Sequence, residues 1–245
     1  MNQIIELTEQ QLFDYISCPV YFSLRYKNKY GIGNSVSMKS LLNQVVNGFC
    51  MKLIDGEVMS SYDMKRKWDM LTKKHPDIID QKKNLQGISL LVQFWRWAAN
   101  KEIMVVDVGS TYRLTFEPTD KKIFLTGMMG ILTINKAKQI EQLIVDMSNK
   151  IPDQDRLDMS LKISLVHVAF KRLYKIPLLG TKILYAKTGK ELYTTRDADV
   201  ESKRLEKIVS NVAKSIEQNI WYPHESPLCA CCRVKDFCRM WGYKI

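Results

Sequence analysis

The sequence has little proline and glycine, 7 and 11 residues of 245, and no stretch in which Pro, Gly or Ser dominates. That excludes a flexible linker or a low-complexity arm. No segment repeats, which excludes a solenoid. The first residues, Met1-Asn2-Gln3-Ile4-Ile5-Glu6, carry no basic cluster and lead into no long apolar run, so no secretory signal is expected. The longest apolar stretch, residues 163–170, is interrupted by Ser164 and His167 and is too short to span a bilayer. These absences point to an intracellular, cytoplasmic protein without a membrane partner. In a reducing compartment six cysteines are expected to be metal ligands or core residues rather than disulfides.

What the chain does have is apolar mass and positive charge. Five tryptophans and 46% hydrophobic residues are enough for one sizeable core, so 1–245 is expected to form a single domain. Lys and Arg outnumber Asp and Glu by 37 to 26, a net charge of +11. The partner such a balance suits is a polyanion, DNA first. Basic clusters stand at Lys65-Arg66-Lys67, Lys73-Lys74, Lys82-Lys83, Lys171-Arg172 and Lys203-Arg204. Each taken alone reads as a solvated helix face; the sum favours nucleic acid.

The hydrophobic period changes along the chain. Thr8-Glu9-Gln10-Gln11 is a capping box, followed by the apolar stripe Leu12, Tyr15 and Ile16, and Pro19 stops that helix. Residues 38–54, 62–73 and 79–100 read as further helices, the last with Ile88, Leu91, Val92, Trp95 and Ala99 on one face. Strands are expected at 104–108, 112–116, 123–134 and 142–146. A helix over 155–174, a short strand at 183–186 and a final helix over 200–219 complete the pattern. The order predicts a helical part (1–100), a sheet core (101–195) and a C-terminal helix with a cysteine cluster (196–245): an α/β domain with a mixed sheet flanked by helices.

The cysteines are split between the two ends. Cys18 lies in Tyr15-Ile16-Ser17-Cys18-Pro19-Val20-Tyr21-Phe22, and Cys229, Cys232 and Cys238 form C-x2-C-x5-C near the other end. Three thiolates leave a tetrahedral site one ligand short, and Cys18 can supply the fourth. Four cysteines suit an iron–sulfur cluster or structural zinc. His224 offers a second arrangement, H-x4-C-x2-C-x5-C, a zinc knuckle that would leave Cys18 as an ordinary buried cysteine. Cys231, between two of the candidates, is either a spare thiol or a substitute for Cys232. Cys50 lies on the apolar side of a helix and reads as core.

The Tyr-x-x-Cys-Pro-x-x-Phe segment together with the C-terminal C-x2-C-x5-C resembles the iron–sulfur branch of the PD-(D/E)XK nuclease superfamily. That branch includes CRISPR-associated adaptation exonucleases and the nuclease domains of bacterial recombination helicase–nucleases. The resemblance runs from Leu7 to Trp241. It implies a restriction-endonuclease-like mixed sheet and a 4Fe-4S cluster on Cys18, Cys229, Cys232 and Cys238. It also implies where a metal-dependent nuclease site should lie. The family's Gly-x-x-Asp falls on Gly127-Met128-Met129-Gly130, placing glycine where a metal-binding aspartate belongs. Its Asp-x-Lys falls on Asp146-Met147-Ser148, with serine in place of the lysine. Asn47 stands where the family often has a metal-binding histidine, and Ser160 and Ser164 replace its Gln-x-x-x-Tyr.

One carboxylate does not hold a hard cation, so the site reads as degenerate and Mg or Mn as needed only if it is active. A relocated site would draw on Lys150, two residues past Ser148, with Glu117 or Asp155 as the second carboxylate; Ile151-Pro152 argues that the strand ends before it. His167 reads as a satisfied core histidine, and Trp95, Trp97 and Trp221 as packing residues rather than base-stacking platforms. The expectation is a catalytically inactive, nuclease-like iron–sulfur protein that binds DNA or serves in a replication, recombination or transcription complex. The alternatives are an active metal-dependent DNA exonuclease with a relocated site, and a zinc-stabilised protein–protein adaptor.

Overall fold

A computed structural model describes residues 4–30, 36–117, 121–148 and 151–238. The chain forms two compact units that interleave along the sequence. The first comprises Met1–Ser35, Tyr112–Gly127 and Ser202–Ile245, the second Val36–Thr111 and Met128–Glu201.

In chain order the elements begin with β1 (Ile4–Thr8), α1 (Glu9–Ser17), the short α2 (Pro19–Phe22) and a π-helix (Ser23–Lys27). Three long helices follow: α3 (Met38–Ile54), α4 (Ser61–Lys73) and α5 (Gln81–Lys101). The strands β2 (Met104–Val108), β3 (Thr111–Phe116), β4 (Lys122–Met128), β5 (Ile131–Ile134) and β6 (Ile140–Asp146) come next. Then come α6 (Gln154–Asp158), α7 (Leu161–Tyr174), β7 (Thr181–Tyr185), β8 (Lys190–Thr194) and α8 (Ala198–Glu217).

The architecture is mixed α/β, but with two sheets rather than the one expected. In the first unit the order is β1-β4-β3, with β1 parallel to β4. β3 alternates strictly, burying Tyr112, Leu114 and Phe116, and Ile123 and Leu125 of β4 point inward likewise. The capping box forms as the sequence predicts: Thr8 Oγ1 accepts from Gln11 N at 3.2 Å, and Thr8 N donates to Gln11 Oε1 at 2.8 Å. α8 buries Leu205, Val209, Val212 and Ala213, one helical stripe.

The second unit holds a five-stranded sheet, β2-β5-β6-β7-β8, in which only β6 and β7 run parallel. Leu143, Val145 and Met147 join the core made with α3, α4 and α5, where Trp68, Phe94, Leu41 and Val45 are fully buried. The opposite face carries Ile144, Ile183 and Tyr185, packed with Leu157 and Ile163 of α6 and α7.

The continuous strand expected over 123–134 is broken. Gly130 sits at φ +79°, a left-handed conformation that glycine adopts without a Cβ penalty, and the chain leaves β4 for a strand of the other sheet. The helix expected over 155–174 is two, because Met159 and Ser160 turn back onto the carbonyls of Asp155 and Leu157 before Ser160 starts α7. No helix among the described residues is long and apolar enough to cross a membrane.

Candidate functional site

The four cysteines at the two ends of the chain meet inside the first unit. Cys18 is extended (φ −165°, ψ 108°) between α1 and α2; its N–H closes the last turn of α1 on Asp14 O at 3.0 Å, and Pro19 begins α2. The last segment is a string of tight turns. Cys229 lies in the 3-10 turn Pro227–Cys231, Cys232 N donates to Cys229 O at 3.2 Å, and Cys238 N donates to Lys235 O at 3.1 Å. The result is a cavity of about 510 Å³ whose wall includes Cys18, Cys229, Cys232, Cys238 and His224.

All six cysteines are free thiols. The Cys232 thiol is pushed up first by burial, partly offset by the Val234 backbone hydrogen bond, and up again by Cys18, Cys229 and Cys238. Four thiols facing one space are the donors a thiolate-bound metal group uses. Among the described residues, no group of three or more His, Cys, Asp or Glu is arranged to hold a single metal ion. Cys231 is exposed and lines a neighbouring cavity of about 270 Å³ instead.

Other contacts hold the two ends together beside this cavity. The Tyr15 hydroxyl donates to Ile220 O at 2.8 Å, Lys27 Nζ donates to Asn219 Oδ1 at 2.6 Å, and His224 Nδ1 lies 3.0 Å from Ser17 O. A carbonyl only accepts, so Nδ1 of His224 carries the proton and its Nε2 keeps a lone pair in the neutral ring. Trp221 stacks on Phe22 with centroids 5.9 Å apart and meets Tyr15 edge-on at 6.0 Å, while Lys27 Nζ lies 4.7 Å from its ring. Tyr30 and Phe237 stack at 4.7 Å. Trp221 is thus a packing residue.

Of the nuclease-like positions, Asn47, Gly130, Asp146, Ser148 and Asp155 lie in the second unit and Glu117 in the first. β5 and β6 are antiparallel with Ile131 opposite Leu143, so Gly130 precedes the pair and stands beside Ile144, on the face that also carries Asp146. A Cβ at Gly130 would meet only Gln142 Nε2, at 3.7 Å. Asp146 ends β6 opposite Tyr185, and its Oδ1 accepts the Ser148 N–H at 2.7 Å, an aspartate turned back on its own strand end. Asn47 is exposed on α3, the helix that helps cover the opposite face of β6, and is not brought to Asp146. Asp155 is exposed at the start of α6, and Glu117 is paired with Lys122 at 3.1 Å. Lys150 lies outside the described residues.

Behind Gly130 runs a buried polar chain that the sequence did not announce. His167 Nε2 lies 2.9 Å from Thr181 Oγ1, Thr181 donates to Gln142 Oε1 at 3.0 Å, and Gln142 Nε2 donates to Met129 O at 2.9 Å. Because Thr181 gives its one proton to Gln142, its oxygen accepts from His167, which fixes the Nε2–H tautomer. Burial, with the nearby Arg196 charge, lowers the His167 pKa to about 4 against a smaller opposing effect of Glu201, so the ring is neutral at neutral pH. The sequence reading of His167 as a satisfied core histidine matches its place in this chain, whereas Gln142 and Thr181 gave no sign of being its partners. Cys50 is a fully buried core thiol, pushed up to about 12 by burial. Trp97 and Trp95 anchor core packing, their ring N–H groups on Glu191 Oε1 and Met59 O.

No protein-family model matches the chain, and no curated protein matches its sequence. Solved structures do match. A crystal structure of a candidate exonuclease from Eubacterium rectale superposes with a TM-score of 0.56 at 14% identity, covering 93% of this chain and 87% of that one. A second structure, of a protein designated SSO0001, gives a TM-score of 0.45 at 11% identity over 96% and 86% of the two chains. The first match is one of backbone architecture: this chain has the nuclease-like fold of that candidate exonuclease.

Proposed function

We propose that this chain is a nuclease-like protein that binds DNA without cutting it, and that a 4Fe-4S cluster on Cys18, Cys229, Cys232 and Cys238 closes its first unit. It would serve as a subunit of a replication, recombination or transcription assembly. One observation carries the reading: Cys18 and the C-terminal trio, from opposite ends of the chain, wall a single cavity of about 510 Å³. Four cysteine thiolates are the ligand set such a cluster uses. The cluster would supply a covalent tie where hydrogen bonds and ring stacking already join the two ends.

The loss of cutting rests on the pocket. Gly130 offers no carboxylate, Ser148 no charge stabiliser, and Asp146 is engaged with the Ser148 N–H. A lone carboxylate leaves a hard cation with its water shell and little reason to stay. What remains is the fold and a net charge of +11, which favours phosphate contacts. The test is duplex binding across a salt series. Affinity should fall by about 0.9 decade per decade of salt for each phosphate neutralised, with no cleavage in magnesium or manganese. Salt-independent binding, or none at low salt, would support the protein adaptor instead.

A second reading has its own observation. His224 lines the same cavity, and its Nδ1 is committed to Ser17 O, the second-shell bond that orients metal-ligating imidazoles and leaves Nε2 for a metal. A zinc held by His224, Cys229, Cys232 and Cys238 would use it.

A further inference from the structure

Asp14 is a carboxylate buried beside the cysteine cavity, and its bonds are unusually complete. Its Oδ1 accepts from Gln10 Nε2 at 2.7 Å; its Oδ2 accepts from Arg25 Nη1 at 3.0 Å and from the Tyr26 hydroxyl at 2.7 Å. Its backbone carbonyl accepts the Cys18 N–H at 3.0 Å. Both ion-pair partners are largely shielded, with side-chain exposures of 16% for Arg25 and 11% for Asp14. A buried charge that loses its partner costs several kcal/mol, so this pair is fixed in place rather than incidental.

The segment that follows Cys18 explains how two neighbouring side chains reach one oxygen. Ser23–Lys27 is a π-helix, with Asn28 N bonded to Ser23 O at 3.1 Å. Its wider turn reduces the angle between successive side chains, so Arg25 and Tyr26 converge on Asp14; such bulges recur at functional sites. Arg25 also bonds the Tyr21 hydroxyl at 3.1 Å, and Tyr21 lines the cavity with Cys18. The segment from Cys18 to Tyr26, α2 running into the π-helix, is thus held at both ends by one residue: its start by the Asp14 carbonyl, its end by the Asp14 carboxylate.

We propose that Asp14 is a positioning residue for the cysteine site, holding Cys18 at the cavity through the clamp to Arg25 and Tyr26. It touches no metal and acts only through Cys18. The inference rests on the reading of Cys18 as a ligand, and it names what keeps that ligand in place.

The test is a double-mutant cycle on the full chain loaded anaerobically with cadmium: wild type, Asp14→Ala, Cys18→Ala and the double variant. Cadmium is the probe because Cys229, Cys232 and Cys238 still hold it when Cys18 is gone, whereas a cluster would be lost. The readout is the rate at which a chelator bleaches the cadmium–thiolate charge-transfer band. Removing an outer-shell partner typically weakens metal retention by about 10–100-fold, so Asp14→Ala should lose cadmium at least tenfold faster than wild type. In the Cys18→Ala background the same change should add nothing, because the residue it positions is gone. A purely structural Asp14 would show the same tenfold acceleration in both backgrounds, and that result overturns the proposal. Arg25→Lys, which keeps the ion pair, should stay near wild type, and Arg25→Gln should fall toward Asp14→Ala even if Asp14→Ala itself folds poorly. Uptake of iron and sulfide by the wild type tests the cluster reading separately, and its failure leaves the cadmium cycle to decide this proposal.

Discussion

The hydroxyl of Tyr15 donates to the backbone carbonyl of Ile220 at 2.8 Å across 205 positions of sequence. The bond joins α1 to the segment that leads into the C-terminal cysteines, so the two ends of the chain are held in contact by protein alone. Tyr15→Phe keeps the ring against Phe22 and Trp221 and removes the hydroxyl's bond to Ile220 together with its hydrogen bond with Ser215. It should cost at least about 1 kcal/mol, the usual net worth of one such hydrogen bond, read from urea melts. A cost near zero would mean that the Ile220 carbonyl finds water instead.

His167 should make the protein acid-sensitive. Its folded pKa, about 4, lies below the ordinary 6.5 because burial opposes the charge first and Arg196 second, with Glu201 working weakly the other way. The unfolded chain therefore binds a proton that the folded chain refuses between those values. The neutral ring's contribution is complete above pH 6.5, declines as pH falls, and is exhausted near pH 4. A shift of that size corresponds to about 3 kcal/mol. Stability measured from pH 7 to 4 should drop by that order, and His167→Gln, less stable at pH 7, should flatten the slope. An unchanged slope in the variant would remove His167 as the cause.

Restoring the nuclease pattern has a backbone cost. Gly130 is left-handed at φ +79°, and a residue with a Cβ pays about 1–2 kcal/mol there, aspartate at the lower end because it tolerates this region. Space is not the obstacle, since the nearest atom to a new Cβ is 3.7 Å away. Gly130→Asp with Ser148→Lys should therefore fold, melt at lower denaturant and bind DNA as wild type does. The unmodified protein should not degrade DNA in magnesium or manganese. Cutting that Asp146→Ala abolishes would show a live site.

How much of this was legible in the sequence depends on how local the cause is. The Thr8–Gln11 capping box and the span of α3 follow from neighbours three and four residues apart, and both match. β1 was missed because only Leu7 of its five residues is buried and its partner, β4, lies far along the chain. β8 was missed as a half-exposed edge strand. The break at Gly130 hides in a run of apolar residues, and only the φ value reveals it. Spacing left Cys18 and His224 as rival fourth ligands for the C-terminal trio, and only the family resemblance favoured Cys18; both line the same cavity. Asp14, Arg25 and Tyr26 carried no such signal, since their meeting depends on a π-helix that no periodicity announces.

The most direct test of the account is elemental analysis of the anaerobically purified full chain beside Cys18→Ala. The cysteine site predicts a brown protein with about four iron and four sulfide per chain. Cys18→Ala should lose the colour and loosen the fold together, because this ligand is also a tie between the two ends. Stoichiometric zinc without sulfide, lost more completely in His224→Ala than in Cys18→Ala, would contradict it.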